Sequence, residues 1–155
     1  MMLDRRTTAA TISTSERPLS RAYHPRYEPD ARRAVHEFLR AKACELRPAY
    51  AALCIAYHLQ QSAGRDAVCG ADIRALFPRR EERIAGALRN AHDILRRAAV
   101  RGLVETLGGG WYTITPLGAR VVEALPDDER VAELRGCRTV SCGVGRRRVG
   151  HLDDL

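Results

Sequence analysis

Aromatic side chains and lysine are scarce in this chain. Phe, Trp and Tyr make up only 5% of its 155 residues, so a core must be built mostly from Ala, Leu, Val and Ile. All but one of its 26 basic residues are arginine, an excess that coding bias explains as readily as function. The arginines are therefore informative only through their positions along the chain.

Long apolar runs and an even disulfide framework are also missing. No segment approaches the roughly 18 consecutive apolar residues of a transmembrane helix, and the charges directly after Leu3 exclude the apolar core of a signal peptide. Five cysteines cannot all pair, so we expect free thiols, with Cys44, Cys54 and Cys69 as small core residues. These absences predict a cytoplasmic protein without a membrane partner.

Recognisable catalytic and cofactor motifs are absent as well. The chain has no Gly-rich phosphate loop, nucleophile elbow or paired-carboxylate signature. Cys137, Cys142 and His151 could supply three metal ligands, but their spacing is not a strong zinc signature and no second cysteine pair completes the set. We therefore expect neither enzyme activity nor a cofactor.

The net charge of +7 is concentrated in one short stretch. Residues 73–101 hold eight arginines and three acidic residues, so this stretch alone contributes +5. A localised basic stretch is typical of a surface that binds phosphate groups. The alternative is a solvated helix face in an arginine-biased protein. The charge pattern favours a nucleic-acid partner over the structural alternative.

The N-terminal half is predicted to begin with a tail and two helices. Residues 1–28 lack periodicity and are expected to be disordered. A first helix is expected at about 30–47 and a second from about Ala49 to Ser62. The apolar stripe of the first helix consists of Val35, Phe38, Leu39 and Leu46. The apolar face of the second consists of Ala49, Ala52, Leu53, Ala56 and Tyr57.

The segment 67–125 has the clearest organisation in the chain. Its predicted elements are a one-rung strand at Ala67–Cys69, a helix at Gly70–Phe77, a helix at about 81–101, strands at Leu103–Leu107 and Trp111–Thr115, and a helix that opens at Thr115 and Pro116. The stripe of the long helix consists of Ile84, Leu88, Ala91, Leu95 and Ala98. Three consecutive glycines supply the hairpin turn. A short helix at 127–134 is expected to precede a loose tail.

This order of elements resembles the winged helix-turn-helix superfamily over residues 48–125. The most specific strings are Gly102-Leu103-Val104-Glu105, Gly108-Gly109-Gly110-Trp111-Tyr112 and Thr115-Pro116-Leu117-Gly118. The extra N-terminal helix and the short C-terminal helix are similar to a MarR-type arrangement. The resemblance implies that residues 29–134 form a mainly α domain that carries a β-hairpin wing. Tails at 1–28 and 135–155 flank this domain.

The resemblance also implies that the 81–101 helix lies in the major groove of double-stranded DNA. Arg89 and Asn90 are the implied base readers, because Arg suits guanine and Asn suits adenine. The implied phosphate contacts are Arg79, Arg80, Arg83, Arg96 and Arg97. Gly86 would allow close approach of another surface, since a mid-helix glycine costs about 1 kcal/mol relative to alanine. We therefore predict a sequence-specific transcriptional regulator that acts as a homodimer.

Two features leave alternatives open. Asp93 is spaced to pair with both Arg89 and Arg97, which would make these arginines an intrahelical ion-pair surface. The wing tip carries Leu107 and Trp111 but neither Arg nor Lys, and an exposed apolar tip would favour a protein partner. The alternative function is therefore a winged-helix protein–protein interaction module, or a non-catalytic subunit of a larger complex.

Overall fold

The computed structural model describes residues 18–77 and 90–136. Within these two stretches the chain forms six α-helices and a three-stranded antiparallel sheet. In chain order the elements are α1 (Pro29–Ala41), α2 (Pro48–Ser62), β1 (Val68–Cys69), α3 (Gly70–Leu76), α4 (Ala91–Val100), β2 (Val104–Gly108), β3 (Trp111–Ile114), α5 (Pro116–Ala124) and α6 (Asp128–Gly136). The prediction of a mainly helical chain with a small hairpin is thereby confirmed for these residues.

Helix α2 occupies the centre of the molecule. Its residues 51–56 are all buried, and so is Leu59. A helix that is apolar on every side is a core helix, and here α1, α3, α4, α5 and β3 all pack against it. The predicted apolar face is confirmed at Ala52, Leu53 and Ala56 and is wrong at Ala49, which is exposed. Tyr57 is half-buried, and the buried surface extends beyond one face to Ala51, Cys54, Ile55 and Leu59.

Helix α1 is shorter than predicted. It ends at Ala41, and Ala43 adopts a left-handed conformation with a φ of 50°. The N–H of Cys44 then donates to the carbonyl of Leu39, and that of Ala43 to the carbonyl of Arg40, which is the Schellman form of helix termination. Val35 and Leu39 are buried as predicted, but Leu46 lies beyond the helix and is 67% exposed.

The sheet has the strand order β1-β3-β2. Val68 pairs with Tyr112 across the β1–β3 ladder, and Val104 pairs with Ile114 across the β2–β3 ladder. The turn between β2 and β3 uses positive φ angles at Gly108, Gly109 and Gly110, a conformation that glycine adopts without a steric penalty. The predicted strands and turn are confirmed, with small shifts at their ends.

The junction between the hairpin and α5 is held by Thr115. Its hydroxyl donates to the carbonyls of Gly102 and Leu103, at 2.6 and 3.0 Å, and accepts from the N–H of Gly118 at 3.1 Å. Thr115 is thus the N-cap that the sequence predicts, with Pro116 at the first helical position. The predicted burial of Val121, Val122 and Leu125 is also confirmed.

Replacement of Gly118 by Ala tests the closeness of this junction. An added Cβ would collide with the carbonyl oxygen of Leu103 and lie 2.9 Å from Cγ1 of Ile114. Because backbone must shift to relieve the clash, we expect Gly118→Ala to destabilise the fold by about 2 kcal/mol or more, measured by thermal unfolding. The control is Gly136→Ala, whose Cβ would meet no atom of residues 18–77 and 90–136 within 4 Å. Equal melting temperatures in the two variants would contradict this account.

Candidate nucleic-acid interface

The structure describes only part of the predicted DNA-binding set. Arg79, Arg80, Arg83, Gly86 and Arg89 lie in 78–89, outside the described residues. Asn90, Arg96 and Arg97 are described, and all three are exposed. The geometry of the candidate site is therefore that of α4 and the elements beside it.

Helix α4 begins later than predicted. Asn90 has a φ of −107° and a ψ of 35°, outside the helical region, and serves as the N-cap of a helix that starts at Ala91. An unbroken helix across 81–101 is therefore wrong at Asn90. Close packing accompanies this start: Ala91 is fully buried, and a Cβ on Gly70 would lie 2.9 Å from the backbone nitrogen of His92.

The two described arginines of the site share one carboxylate. Asp93 lies 2.6 Å from Arg96 and 2.9 Å from Arg97, whose side chains are 69% and 74% exposed. The hydrogen bond from Arg96, with the charge of Arg97, lowers the pKa of Asp93, so this carboxylate is ionised at neutral pH. Two guanidinium groups against one carboxylate leave a net positive charge on the exposed side of α4.

The start of α4 lies beside the wing. The ring of His92 packs on that of Tyr112, with 5.6 Å between centroids, and its Cε1 is 3.7 Å from where a Cβ on Gly110 would stand. The sequence analysis predicts no role in the site for His92. His92 is four residues before Arg96, so both lie on one side of the helix. This spacing is the feature of the sequence that could have placed His92 in the site.

The wing tip is not the apolar surface that the sequence suggests. Leu107 is 41% exposed, but Trp111 is only 4% exposed. The indole N–H of Trp111 donates to the carbonyl of Pro18 at 2.8 Å, and the ring of Tyr23 packs on the indole at 5.1 Å. The prediction of an exposed Leu107–Trp111 tip is therefore wrong at Trp111, because a segment from the N-terminal side covers it.

This covering segment, residues 18–28, is named here the N-terminal strap. Its Ser20 N–H donates to the carbonyl of Gly109 in the wing turn at 2.9 Å. The sequence assigned these residues to a disordered tail. The strap instead packs on the domain because it exchanges hydrogen bonds and aromatic contacts with the wing, neither of which requires a periodic pattern.

Asp72 anchors the other end of the strap. This side chain is fully buried and accepts hydrogen bonds from the hydroxyl of Tyr27 at 2.5 Å and the N–H of Cys69 at 2.9 Å. Arg65 completes the set with an ion pair at 3.4 Å. Burial and the charge of Asp72 raise the pKa of Tyr27, which keeps its hydroxyl a donor.

Sequence reasoning missed Asp72. The available signal was its place as the third residue of the short helix that starts at Gly70, where an acidic side chain returns to the N-cap backbone. One carboxylate in a short helix is too weak a pattern to distinguish a buried anchor from a surface residue.

Replacement of Tyr27 by Phe tests the strap. The variant loses a hydrogen bond to a charged group, an interaction worth about 1.5–3 kcal/mol, so we expect the strap to loosen. Trp111 is the only tryptophan in the chain, and its emission should shift to the red and become more accessible to acrylamide. The control is Tyr57→Phe, because the Tyr57 hydroxyl also donates to a carboxylate, that of Glu123. An unchanged emission spectrum in Tyr27→Phe would overturn the anchoring role.

The described residues show neither a metal cluster nor a membrane-spanning helix. Within 18–77 and 90–136, no group of three or more His, Cys, Asp and Glu side chains could hold a metal ion. The tail candidates Cys137, Cys142 and His151 lie outside the described residues. Over the same ranges, no helix is long and apolar enough to cross a membrane.

Comparison of the chain with protein-family models, with curated proteins and with solved structures gives no match. What the chain does must therefore be argued from its own residues.

Proposed function

We propose that this chain is a winged-helix protein that binds double-stranded DNA sequence-specifically and regulates transcription. In this proposal it is a homodimer of the cytoplasm, reads two half-sites and acts by occupying its site without chemistry. The affinity comes mainly from contacts between arginine and phosphate, and binding therefore weakens steeply with salt.

The observation that carries the proposal is the pair of exposed arginines on α4. The helix has ten residues and is thus about 15 Å long. With its side chains an α-helix is about 10–12 Å across, which suits a major groove about 12 Å wide. Its buried side, Ala91 and Leu95, packs into the core. Arg96 and Arg97 are consequently left on the solvent side, where phosphate groups would be reached.

The order of elements supports the same proposal. Among the described elements, the strand β1 follows the central helix α2, and the helices α3 and α4 and then the β2–β3 hairpin follow β1. The first strand pairs with the second strand of the hairpin, so that the hairpin stands beside the start of α4. Such an arrangement supports the proposal, because a winged-helix domain would use it to present one helix to a groove.

DNA contact is proposed for α4 and not for the wing. The wing turn is glycine, carries no cation, and is bonded to Ser20 of the strap. Insertion into a minor groove relies on Arg, Lys or His side chains. Asn90, at the exposed start of α4, keeps its proposed role as an adenine reader, and Arg96 and Arg97 their role as phosphate contacts.

The interaction-module alternative loses its main support. It required an exposed apolar wing tip, and the burial of Trp111 removes the larger of the two side chains that would form one. Exposed Leu107 alone does not make a patch of the size that marks a protein interface. DNA binding is therefore the function proposed.

Alanine substitution of the two arginines tests the proposal. We expect Arg96→Ala and Arg97→Ala each to weaken binding to genomic duplex fragments about tenfold, since each loses one charge-assisted contact. Each should also reduce the slope of log affinity against log salt by about 1. Fluorescence anisotropy at two salt concentrations measures both quantities.

The matched control is Arg40→Ala. Arg40 is 70% exposed and pairs with Glu45, but it lies on α1. The variant removes one positive charge from a side chain about as exposed as Arg96 and Arg97, so DNA affinity should be unchanged. Absence of binding at low salt, or equal loss in Arg40→Ala and the α4 variants, would overturn the proposal.

Replacement of Asp93 by Asn gives a change of opposite sign. The variant removes the carboxylate that both arginines contact, and with it a negative charge that repels phosphate. We therefore expect DNA affinity to rise several-fold at low salt, with the gain lost at high salt. The control is Glu133→Gln, because Glu133 is an exposed residue of α6 and its replacement removes one negative charge away from α4. Weaker binding in Asp93→Asn would show that the carboxylate orients the arginines instead of competing with DNA.

A further inference from the structure

Two buried cysteines lie in direct contact. The sulfur atoms of Cys44 and Cys54 are 3.5 Å apart and are joined by an S–H···S hydrogen bond. Both residues are completely inaccessible to solvent, and both are free thiols. The third described cysteine, Cys69, packs in a separate cluster with Ala67 and Trp111.

The fold brings these two thiols together through the termination of α1. Cys44 is the residue whose N–H closes the Schellman turn onto Leu39, which directs the chain back over the middle of α2. Cys54 lies in that middle section. Cys44 therefore lies on the irregular backbone between α1 and α2, residues 42–47, which is called here the connection. Cys54, in contrast, is fixed in α2.

The connection can expose Cys44 without unfolding a helix. Its neighbours Ala43 and Leu46 are exposed, and Ala43 holds a left-handed conformation that is unfavourable for a residue with a Cβ. Local opening of such a segment requires less free energy than global unfolding. A small oxidant can thus reach Cys44 first.

The two thiols are not equivalent as acids. The hydrogen bond with Cys54 lowers the pKa of Cys44, and the charge of Arg47 acts in the same direction. The same hydrogen bond, together with burial, raises the pKa of Cys54. The thiolate is the nucleophile, so this direction agrees with the positions of the two residues: Cys44 lies on the irregular connection and meets an oxidant first, and Cys54, fixed in α2, follows.

We propose that Cys44 and Cys54 form a redox pair that a hydroperoxide closes into a reversible disulfide. The Cys44 thiolate attacks one peroxide oxygen; an S–O bond forms, the O–O bond breaks, and the leaving oxygen takes a proton. Cys54 then attacks the sulfur of the Cys44 sulfenic acid, the S–O bond breaks, and water leaves with the Cys54 proton. Two thiols lose two electrons, and the peroxide is reduced.

Closure requires a movement that the connection can make. A disulfide bond is about 2.05 Å long, so the sulfur atoms must approach each other by roughly 1.5 Å. The connection is also tied to the C-terminal helices: Lys42 donates to the carbonyl of Leu125 at 3.3 Å, and Arg47 pairs with Asp128 at 2.7 Å. Oxidation at Cys44 thus acts on the contacts that hold the end of α5 and the start of α6.

The test is peptide mapping of the full chain after treatment with hydrogen peroxide. The background carries Cys137→Ser and Cys142→Ser, so that these two thiols do not compete. We expect a cross-linked peptide that joins Cys44 to Cys54, loss of two alkylatable thiols in the denatured chain, and recovery of both after dithiothreitol. The cross-link should form faster as pH rises, because the thiolate fraction of Cys44 increases.

Cys69→Ser is the matched control, since Cys69 is equally buried and burial raises its pKa to about 11. This variant should keep the cross-link, whereas Cys44→Ser and Cys54→Ser should each lose it. Full retention of both thiols, or oxidation of Cys44 to sulfinic acid without a cross-link, would overturn the proposal. The peptide map of the protein that keeps both Cys44 and Cys54 decides the question even if a serine variant fails to fold. Its outcome does not depend on DNA binding.

Discussion

The arrangement of the candidate interface depends on one buried carboxylate. Asp72 is fully buried, and removal of a partner from a buried charge costs about 3–5 kcal/mol. Its donors come from the strap at Tyr27, from Arg65 ahead of β1, and from the backbone at the start of α3. Tyr27 is 45 residues from Asp72 along the chain, whereas Arg65 and Cys69 are only seven and three residues away. The need to match one charge therefore fixes the distant strap against the local unit of β1 and α3.

This constraint reaches the wing and α4 through close contacts. Cys69, which donates to Asp72, pairs across the sheet with Trp111, and the strap covers the other side of that indole. Gly70 then lets the start of α3 approach the backbone of His92. A buried charge and backbone contact therefore contribute to the orientation of α4 against the hairpin, beside the packing of Ala91 and Leu95 in the core.

The sequence predicts features that depend on local interactions better than features that depend on contacts between distant residues. Features that depend on a few adjacent residues were predicted well, such as the glycine turn and the Thr115 N-cap, because φ preferences and capping act locally. The strap was not predicted, since the contact between Trp111 and Pro18 joins residues far apart in the chain and uses a backbone carbonyl.

Periodicity had a separate limit. It detects a helix with one buried side, so it predicted the Ala91–Leu95 stripe of α4 but only part of the burial of α2, which is enclosed on every side. The start of α4 at Ala91 was also hidden, because the apolar stripe in the sequence passes Asn90 without interruption.

The ion pairs of Asp93 are too weak to withhold Arg96 and Arg97 from a phosphate group. Exposed helix pairs at this spacing contribute about 0.3–0.5 kcal/mol, whereas a hydrogen bond between charged groups contributes about 1.5–3 kcal/mol when a partner excludes water. A phosphate at the surface of α4 would therefore displace Asp93 as the partner of either guanidinium at little cost. Until then the carboxylate competes with phosphate for both guanidinium groups, and the exposure of the two side chains to solvent keeps that competition weak.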